Sequence, residues 1–355
     1  MVNIMNLNFL NFLSYVFSSF HNILVVVLLS FVIVANGLSD APNTIATCVS
    51  TRAISPKKAI IMSTIFTFLG IFIMSFISIE VVHTVFNLAD FASSENNALL
   101  TLIGALISIL LWVKIMNKYE LPVSESHALI ASLSGAAIAY SNSFSSLNVD
   151  ELLKVFLGIV LSILLGVVVS FVLCKIVEFI FSNFDRRHTI KGFKCAQIFG
   201  GALMSFMHGA QSGQKFIGIF LLGFMLMGAG NELMISSIPV WLMIYCSFLM
   251  SIGILIGGYK VIKTVGMKLS CLELYQGAVA DISAGSVLLL STLFGFPIST
   301  SHTKSMSIVG VSACRRVSSI NWNIIKNILL SGLVTFPFCG LFAYVLTKIL
   351  LIIGV

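Results

Sequence analysis

Four short polar stretches interrupt an otherwise apolar chain of 355 residues. The first, NGLSDAPNTIATCVS, sets Ser39, Asp40, Asn43, Thr44 and Thr47 directly after the apolar run VVVLLSFVIVA, and Asp40 is the first charged residue of the chain. A charged side chain at the bilayer centre costs on the order of 2.5–3.5 kcal/mol on insertion scales. A cation, a proton or a basic partner must offset that. An interfacial helix cap would explain Asp40 alone, not the cluster around it. Gly37 and Pro42 imply a broken helix, since Gly permits conformations closed to other residues and Pro lacks an N–H. The N–H groups freed by a break suit an anion, and its carbonyls and carboxylate suit a cation. The second stretch is HGAQSGQKFIG (208–218). The third and fourth, Ser124-Glu125-Ser126-His127 and Ser299-Thr300-Ser301-His302, each stand one residue beyond a Pro. Hydroxyls and N–H groups at a helix start offer a tetrahedral oxyanion many donors. One copy alone would read as ordinary N-capping; two matched copies read as a binding site. His127 and His302 are candidate gating or proton-carrying groups, with a structural role equally open.

These stretches have to be held by membrane helices. The chain is 58% hydrophobic and 9% charged, against about 25% charged residues in soluble domains. The apolar runs are continuous rather than alternating, which excludes a barrel and gives an all-α polytopic membrane protein. Candidate spans lie near 12–35, 59–80, 98–117, 127–147, 153–182, 196–211, 215–231, 239–258, 274–294, 302–313 and 326–353, or about 10–12 segments. The +7 net charge is spread over short loops and does not indicate nucleic acid. The seven cysteines show no paired metal-type spacing and read as small buried hydrophobes. The N-terminus lacks a basic region ahead of its apolar run, so no removable signal peptide is expected. Trp112, Trp241 and Trp322 read as interface anchors, and Asp281 as a helix–helix hydrogen-bond partner.

The stretches come in pairs. Gly209 lies 172 residues after Gly37, and PISTSHT lies 175 residues after PVSESHA. Lys and Arg place the loops at Lys57-Lys58, 184–194, Lys260–Lys268 and Arg315-Arg316 inside, and the loops at 81–97, Asp150-Glu151 and Asn231-Glu232 outside. Three matched loop pairs flip side. That is the signature of two inverted-topology repeats with discontinuous helices at the motifs. The expected division is 1–183 and 195–355, joined by a basic cytoplasmic loop at 184–194, with both termini outside.

Together these motifs resemble the inorganic phosphate transporter (PiT) family, whose hallmark is a repeated G-x-N-D-x-x-N-type motif. GLSDAPN (37–43) is similar to its first copy and GAQSGQK (209–215) to its second, and the likeness runs from about residue 25 to 350. The resemblance implies two inverted repeats in a plasma membrane, phosphate bound between them, and proton or sodium symport rather than a cofactor. In bacterial members the cargo is often a metal–phosphate complex. It implies that Ser124, Ser126, Gly209, Gln211, Gln214, Lys215, Ser299, Thr300 and Ser301 serve phosphate, and that Asp40, Asn43 and Ser212 occupy the coupling-cation positions; no resident metal is expected. One departure matters: Ser212 stands where the family has Asp, and Ser39 and Gln211 stand where Asn is usual. Either a cation site is weakened or the substrate shifts toward another oxyanion such as sulfate. An intramembrane enzyme lacks a plausible nucleophile–base pair, because adjacent Ser-His residues on a helix point about 100° apart. A channel fits the duplicated motifs less well than alternating access. A homodimer stays open.

Overall fold

The computed structural model describes residues 9–89, 95–118, 124–227, 238–257 and 269–353. The loops carrying Asp90, Pro122, Asn231-Glu232 and Lys260–Lys268 lie outside the described residues. The described residues form thirteen α-helices, in chain order: α1 Phe9–Val16, α2 Phe20–Ser39, α3 Pro42–Ser50, α4 Pro56–Ile77, α5 Glu80–Phe86, α6 Glu95–Lys118, α7 Glu125–Ser141, α8 Val149–Phe181, α9 Arg186–Leu226, α10 Val240–Ile256, α11 Leu274–Leu293, α12 Thr300–Arg315 and α13 Trp322–Ile353. Among the described residues there is no strand, only an isolated bridge between Ala89 and Leu147.

Local chemistry sets the ends. The Asn148 side chain accepts from the N–H groups of Asp150 and Glu151 to start α8, and Asp185 accepts from Arg187 to start α9. Pro42 and Pro56 open α3 and α4 at positions that need no N–H donor. Asn142, at φ 56°, ends α7 in the left-handed conformation that Asn tolerates.

Among the described residues, six helical stretches are long and apolar enough to cross a membrane: Phe20–Ser50, Pro56–Ile77, Asn97–Met116, Val149–Phe181, Leu274–Leu293 and Trp322–Ile353. Their outward residues are bare hydrocarbon, as with Phe156, Leu164 and Val168 on α8 and Leu333, Leu341 and Ile352 on α13. In water such faces would be untenable; against lipid tails they are at home. The chain is a multi-pass membrane protein. The interior is an apolar cluster around Leu29, Leu102, Ile103, Leu106, Ile217 and Phe220.

Helices α7 and α12 have 17 and 16 residues. At 1.5 Å per residue they reach about 25 Å, short of the ~30 Å hydrocarbon core. Their N-terminal residues, Ser124 and Ser299, are buried inside protein. Each of these helices thus starts at a discontinuity inside the protein.

At the two Gly-rich motifs it is slight or missing. Asp40 and Ala41, between α2 and α3, keep right-handed helical backbone angles, so the first motif is a shallow step. The second motif does not break its helix. Spans expected at 196–211 and 215–231 are one 41-residue helix, α9. This copy has no Pro, and its glycines serve close packing instead. A Cβ at Gly209 would strike the Thr67 carbonyl of α4, and one at Gly213 would strike Ile71. The basic segment 184–194 is likewise not a loop, because from Arg186 onward it forms the first turns of α9. Trp112 is buried against Phe338 rather than anchored at an interface.

The packing is reciprocal between matched elements. Helix α7 lies along α13, while α12 lies along α8. A Cβ at Gly135 of α7 would meet the Gly340 carbonyl of α13; one at Gly310 of α12 would meet the Val167 carbonyl of α8. Gly37 presses on Met250 of α10 as Gly209 presses on Thr67 of α4. His127 and His302, 175 residues apart, stack with ring centroids 5.0 Å apart and planes at 23°.

Candidate functional site

Asp40 is 4% exposed and lies where the step between α2 and α3 meets the start of α12. Thr300 Oγ1 donates to Asp40 Oδ2 at 2.7 Å, and the Ser301 hydroxyl donates to Oδ1. Asn43 Nδ2, one turn along, donates to Ser301 Oγ at 2.8 Å and to Asp40 Oδ1 at 3.2 Å. His208 Nδ1 stands 3.3 Å from Thr300 Oγ1 and 3.9 Å from Asp40 Oδ2. The carboxylate from the first motif is thus held by hydroxyls from the fourth and faced by a histidine from the second.

A second carboxylate stands across from it. Glu125, at the first position of α7, is buried and accepts from the Ser39 hydroxyl, within electrostatic reach of Asp40 and beside Asn36. Sequence reasoning passed over Glu125. The signal was present, since a carboxylate between two serines in an apolar stretch carries the same insertion cost as Asp40. The loss of Asp at position 212 therefore does not leave Asp40 as the lone carboxylate here.

One cation answers the two. Lys215 is 2% exposed, and its Nζ donates to Ser126 Oγ and to the Ile298 carbonyl, each at 2.6 Å. Its charge couples to Asp40. Helix α9 presents His208, Ser212 and Lys215 at the i, i+4, i+7 spacing of one face. Asp40, Asn43, Ser126, Lys215, Thr300 and Ser301 are thereby brought together.

The other expected residues have more local partners. Ser124 Oγ and Ser299 Oγ accept from the N–H groups of His127 and His302, so both cap their helices. Gln211 Nε2 donates to the Phe296 carbonyl at 3.0 Å, and Gln214 Nε2 to that of Ser78 at 2.7 Å. Gly209 brings α9 onto α4. His302 Nε2 lies 3.3 Å from the Ile328 carbonyl, and neither ring nitrogen of His127 has a partner among the described residues. Oxygen acceptors are left over: Asn36 Oδ1, Asn43 Oδ1, Glu125 Oε2, Gln211 Oε1 and Gln214 Oε1 are buried without donors. Buried acceptors ordinarily find a donor or an ion. Carbonyl and carboxylate oxygens of this kind are the ligands that hard cations take.

A separate charged cluster lies one turn further along the same helices. Thr47 follows Asn43 by four residues on α3, and Lys304 follows Thr300 by four on α12. Lys304 and Asp281 form an ion pair in which both side chains are fully buried. Thr47 Oγ1 lies 2.7 Å from both Asp281 oxygens, Gln197 Nε2 donates to Oδ2 at 2.6 Å, and Lys304 Nζ donates to Thr47 Oγ1 at 2.9 Å. Asp281 thus makes the helix–helix hydrogen bonds expected of it and is an ion-pair partner as well. Lys304 was legible as a lone lysine inside an apolar helix.

The profile of the phosphate transporter family matches residues 36–343. The chain belongs to this family. A probable low-affinity inorganic phosphate transporter of Bacillus subtilis (strain 168) is 34% identical over 302 residues, covering 85% of this chain and 89% of the relative. A protein of the same description from Rhizobium meliloti (strain 1021) is 32% identical, covering 86% and 89%. Among solved structures, one titled the sodium-dependent phosphate transporter superposes with a TM-score of 0.84 at 22% identity, over 93% of this chain and 99% of that one. It shares the fold. Family membership sets the chain among transporters, not enzymes.

Proposed function

We propose that this member of the phosphate transporter family imports inorganic phosphate in symport with cations, by alternating access between two inverted repeats in the plasma membrane. The observation that carries the reading is the enclosed cluster of Asp40, Glu125 and Lys215 at the buried starts of α7 and α12. Phosphate takes donors from Lys215, Ser126 and the helix N-termini, where N–H groups and the helix dipole favour anions. Two carboxylates, one ammonium and a phosphate dianion would leave a formal charge near −3 in a dry site. Occluding that needs cations, and the buried oxygens of Asn43, Glu125, Gln211 and Gln214, which lack donors, are the candidates to receive them. Neither substrate alone neutralises the site, so closure around one of them is disfavoured; that is the basis of coupling. Sodium is the favoured ion, in keeping with an oxygen-only set of acceptors. The reciprocal seams of α7 on α13 and α12 on α8 support two repeats, 1–183 and 195–355, related by a two-fold axis near His127 and His302. Both termini face outside in this arrangement.

Sulfate is the second reading, because Ser212 replaces a family carboxylate and a site with less negative charge is less selective for cation-paired phosphate. One experiment separates the two. Purified protein in proteoliposomes is given labelled phosphate under a sodium gradient, and separately under a proton gradient, with excess unlabelled sulfate. Sodium-driven accumulation that sulfate leaves intact is expected. Proton-driven accumulation would replace sodium as the ion. Failure of phosphate uptake together with uptake of labelled sulfate would overturn phosphate as the substrate. Adding a divalent cation asks whether phosphate travels as a metal complex.

A further inference from the structure

At the opposite end of α12 from Asp40, two cysteines that are 140 residues apart in sequence converge. Cys174 on α8 and Cys314 on α12 are both buried, and Glu178 stands one turn beyond Cys174. One ligand atom from each of the three lies within 4.8 Å of the others. We propose that Cys174, Glu178 and Cys314 form a site for a thiophilic divalent cation of the zinc class, which ties α8 to α12.

The surroundings fit such a site. On a tetrahedral zinc with bonds near 2.3 Å, thiolate sulfurs sit about 3.8 Å apart, so the three ligands need to converge by roughly 1 Å. Tyr275 O–H donates to Glu178 Oε1 at 2.9 Å and fixes the carboxylate, an outer-shell arrangement common at metal ligands. Cys314 S–H already donates to Glu178 Oε2 at 3.4 Å. Lys175 Nζ stands 3.6 Å from the same oxygen. On binding, each thiol releases its proton to solvent. Two thiolates and a carboxylate then face a divalent ion, and Lys175 balances the remaining negative charge. A cavity of about 500 Å³ lined by Glu178, Tyr275, Phe181 and Phe193 opens beside the carboxylate of this set. The site bridges two packed helices, α8 and α12, one from each of the two proposed repeats. Thr300 and Ser301, which hold Asp40, begin the same α12 about 20 Å away. Pinning the far end of α12 to α8 restrains the helix that the transport site must move. The effect on uptake rests on the transport reading; binding does not.

The test starts from a Cys195→Ser/Cys271→Ser background, which removes the two exposed thiols. Reduced protein is titrated with Zn2+ against a chromophoric chelator, and with Co2+ for its thiolate charge-transfer band. One ion per chain is expected, with both signals lost on adding Cys174→Ser/Cys314→Ser. Tyr275→Phe should weaken binding about tenfold or more. In proteoliposomes Zn2+ should slow phosphate uptake by the background protein, while the Cys174→Ser/Cys314→Ser form, monodisperse and still transporting, should resist it. Zn2+ binding that survives the double substitution overturns the proposal. So does a reduced protein that binds no Zn2+ and merely forms a Cys174–Cys314 disulfide on oxidation.

Discussion

Removing one partner of the Lys304–Asp281 pair should destabilise the protein far more than removing both. Each side chain is fully buried, so neither charge can turn to water when the other is lost. Breaking a buried pair in this way costs about 3–5 kcal/mol, whereas replacing both partners by neutral groups is often close to neutral. The two single variants should differ. In Lys304→Met the Asp281 carboxylate keeps donors from Thr47 and Gln197, which favours the lower end of the range. In Asp281→Asn the Lys304 ammonium keeps Thr47 Oγ1 and an amide oxygen, which favours the upper end. At about 2 °C per kcal/mol for a chain of this size, the single variants should lose about 6–10 °C in apparent Tm. Lys304→Met/Asp281→Asn should recover most of that loss. The assay is thermal challenge in detergent followed by size-exclusion chromatography, with all variants purified alike. Singles within a degree or so of the parent, or a double variant whose loss equals the sum of the singles, would refute the buried-pair reasoning.

Asp40→Asn should abolish concentrative phosphate uptake yet leave membrane insertion intact; accumulation at the parent level would exclude Asp40 from coupling. Lys215→Met removes a charge-assisted donor worth about 1.5–3 kcal/mol, so half-saturating phosphate should rise ten- to hundredfold in initial-rate uptake. Ser212→Asp adds a carboxylate on the α9 face shared by His208 and Lys215, and uptake should depend more steeply on sodium; an unchanged sodium dependence would show that position 212 takes no part in coupling. Gly209→Val drives a side chain into the Thr67 backbone of α4 and should cost about 1–3 kcal/mol of stability. Gly192→Ala, inside α9 with nothing within 4 Å, should stabilise by about 0.5–1 kcal/mol in the same thermal assay.

Much of the site was legible because burying polarity in lipid is expensive, so polar residues inside apolar runs announce themselves. Asp40, Asn43, Ser126, Lys215, Thr300 and Ser301 were all found that way, or by matching the paired motifs, and they meet. Glu125 carried the same signal but sat inside a motif already given another explanation, and Lys304, one residue past the end of its motif, was passed over. The continuity of α9 was not legible. A glycine pair that permits a break and a glycine pair that admits a neighbouring helix look alike in sequence, and only the carbonyl of Thr67 decides between them. Nor did spacing reveal Cys174 and Cys314, since convergence across two long helices leaves no local pattern. The shortness of α7 and α12 was half visible: a Pro precedes each, but their lengths follow from how deeply each start is buried.

The unbroken α9 also limits how this protein can work. A continuous 41-residue helix is a strut of about 60 Å. It reaches from the basic turns at Arg186 past Lys215, and it has no joint along the way. A displacement at Lys215 is passed along the helix and arrives at the Arg186 end as a slide or a roll of the whole rod. The positively charged collar at Arg186, Arg187, Lys191 and Lys194 is therefore a mechanical terminus, and a load placed on it would be felt by the lysine inside.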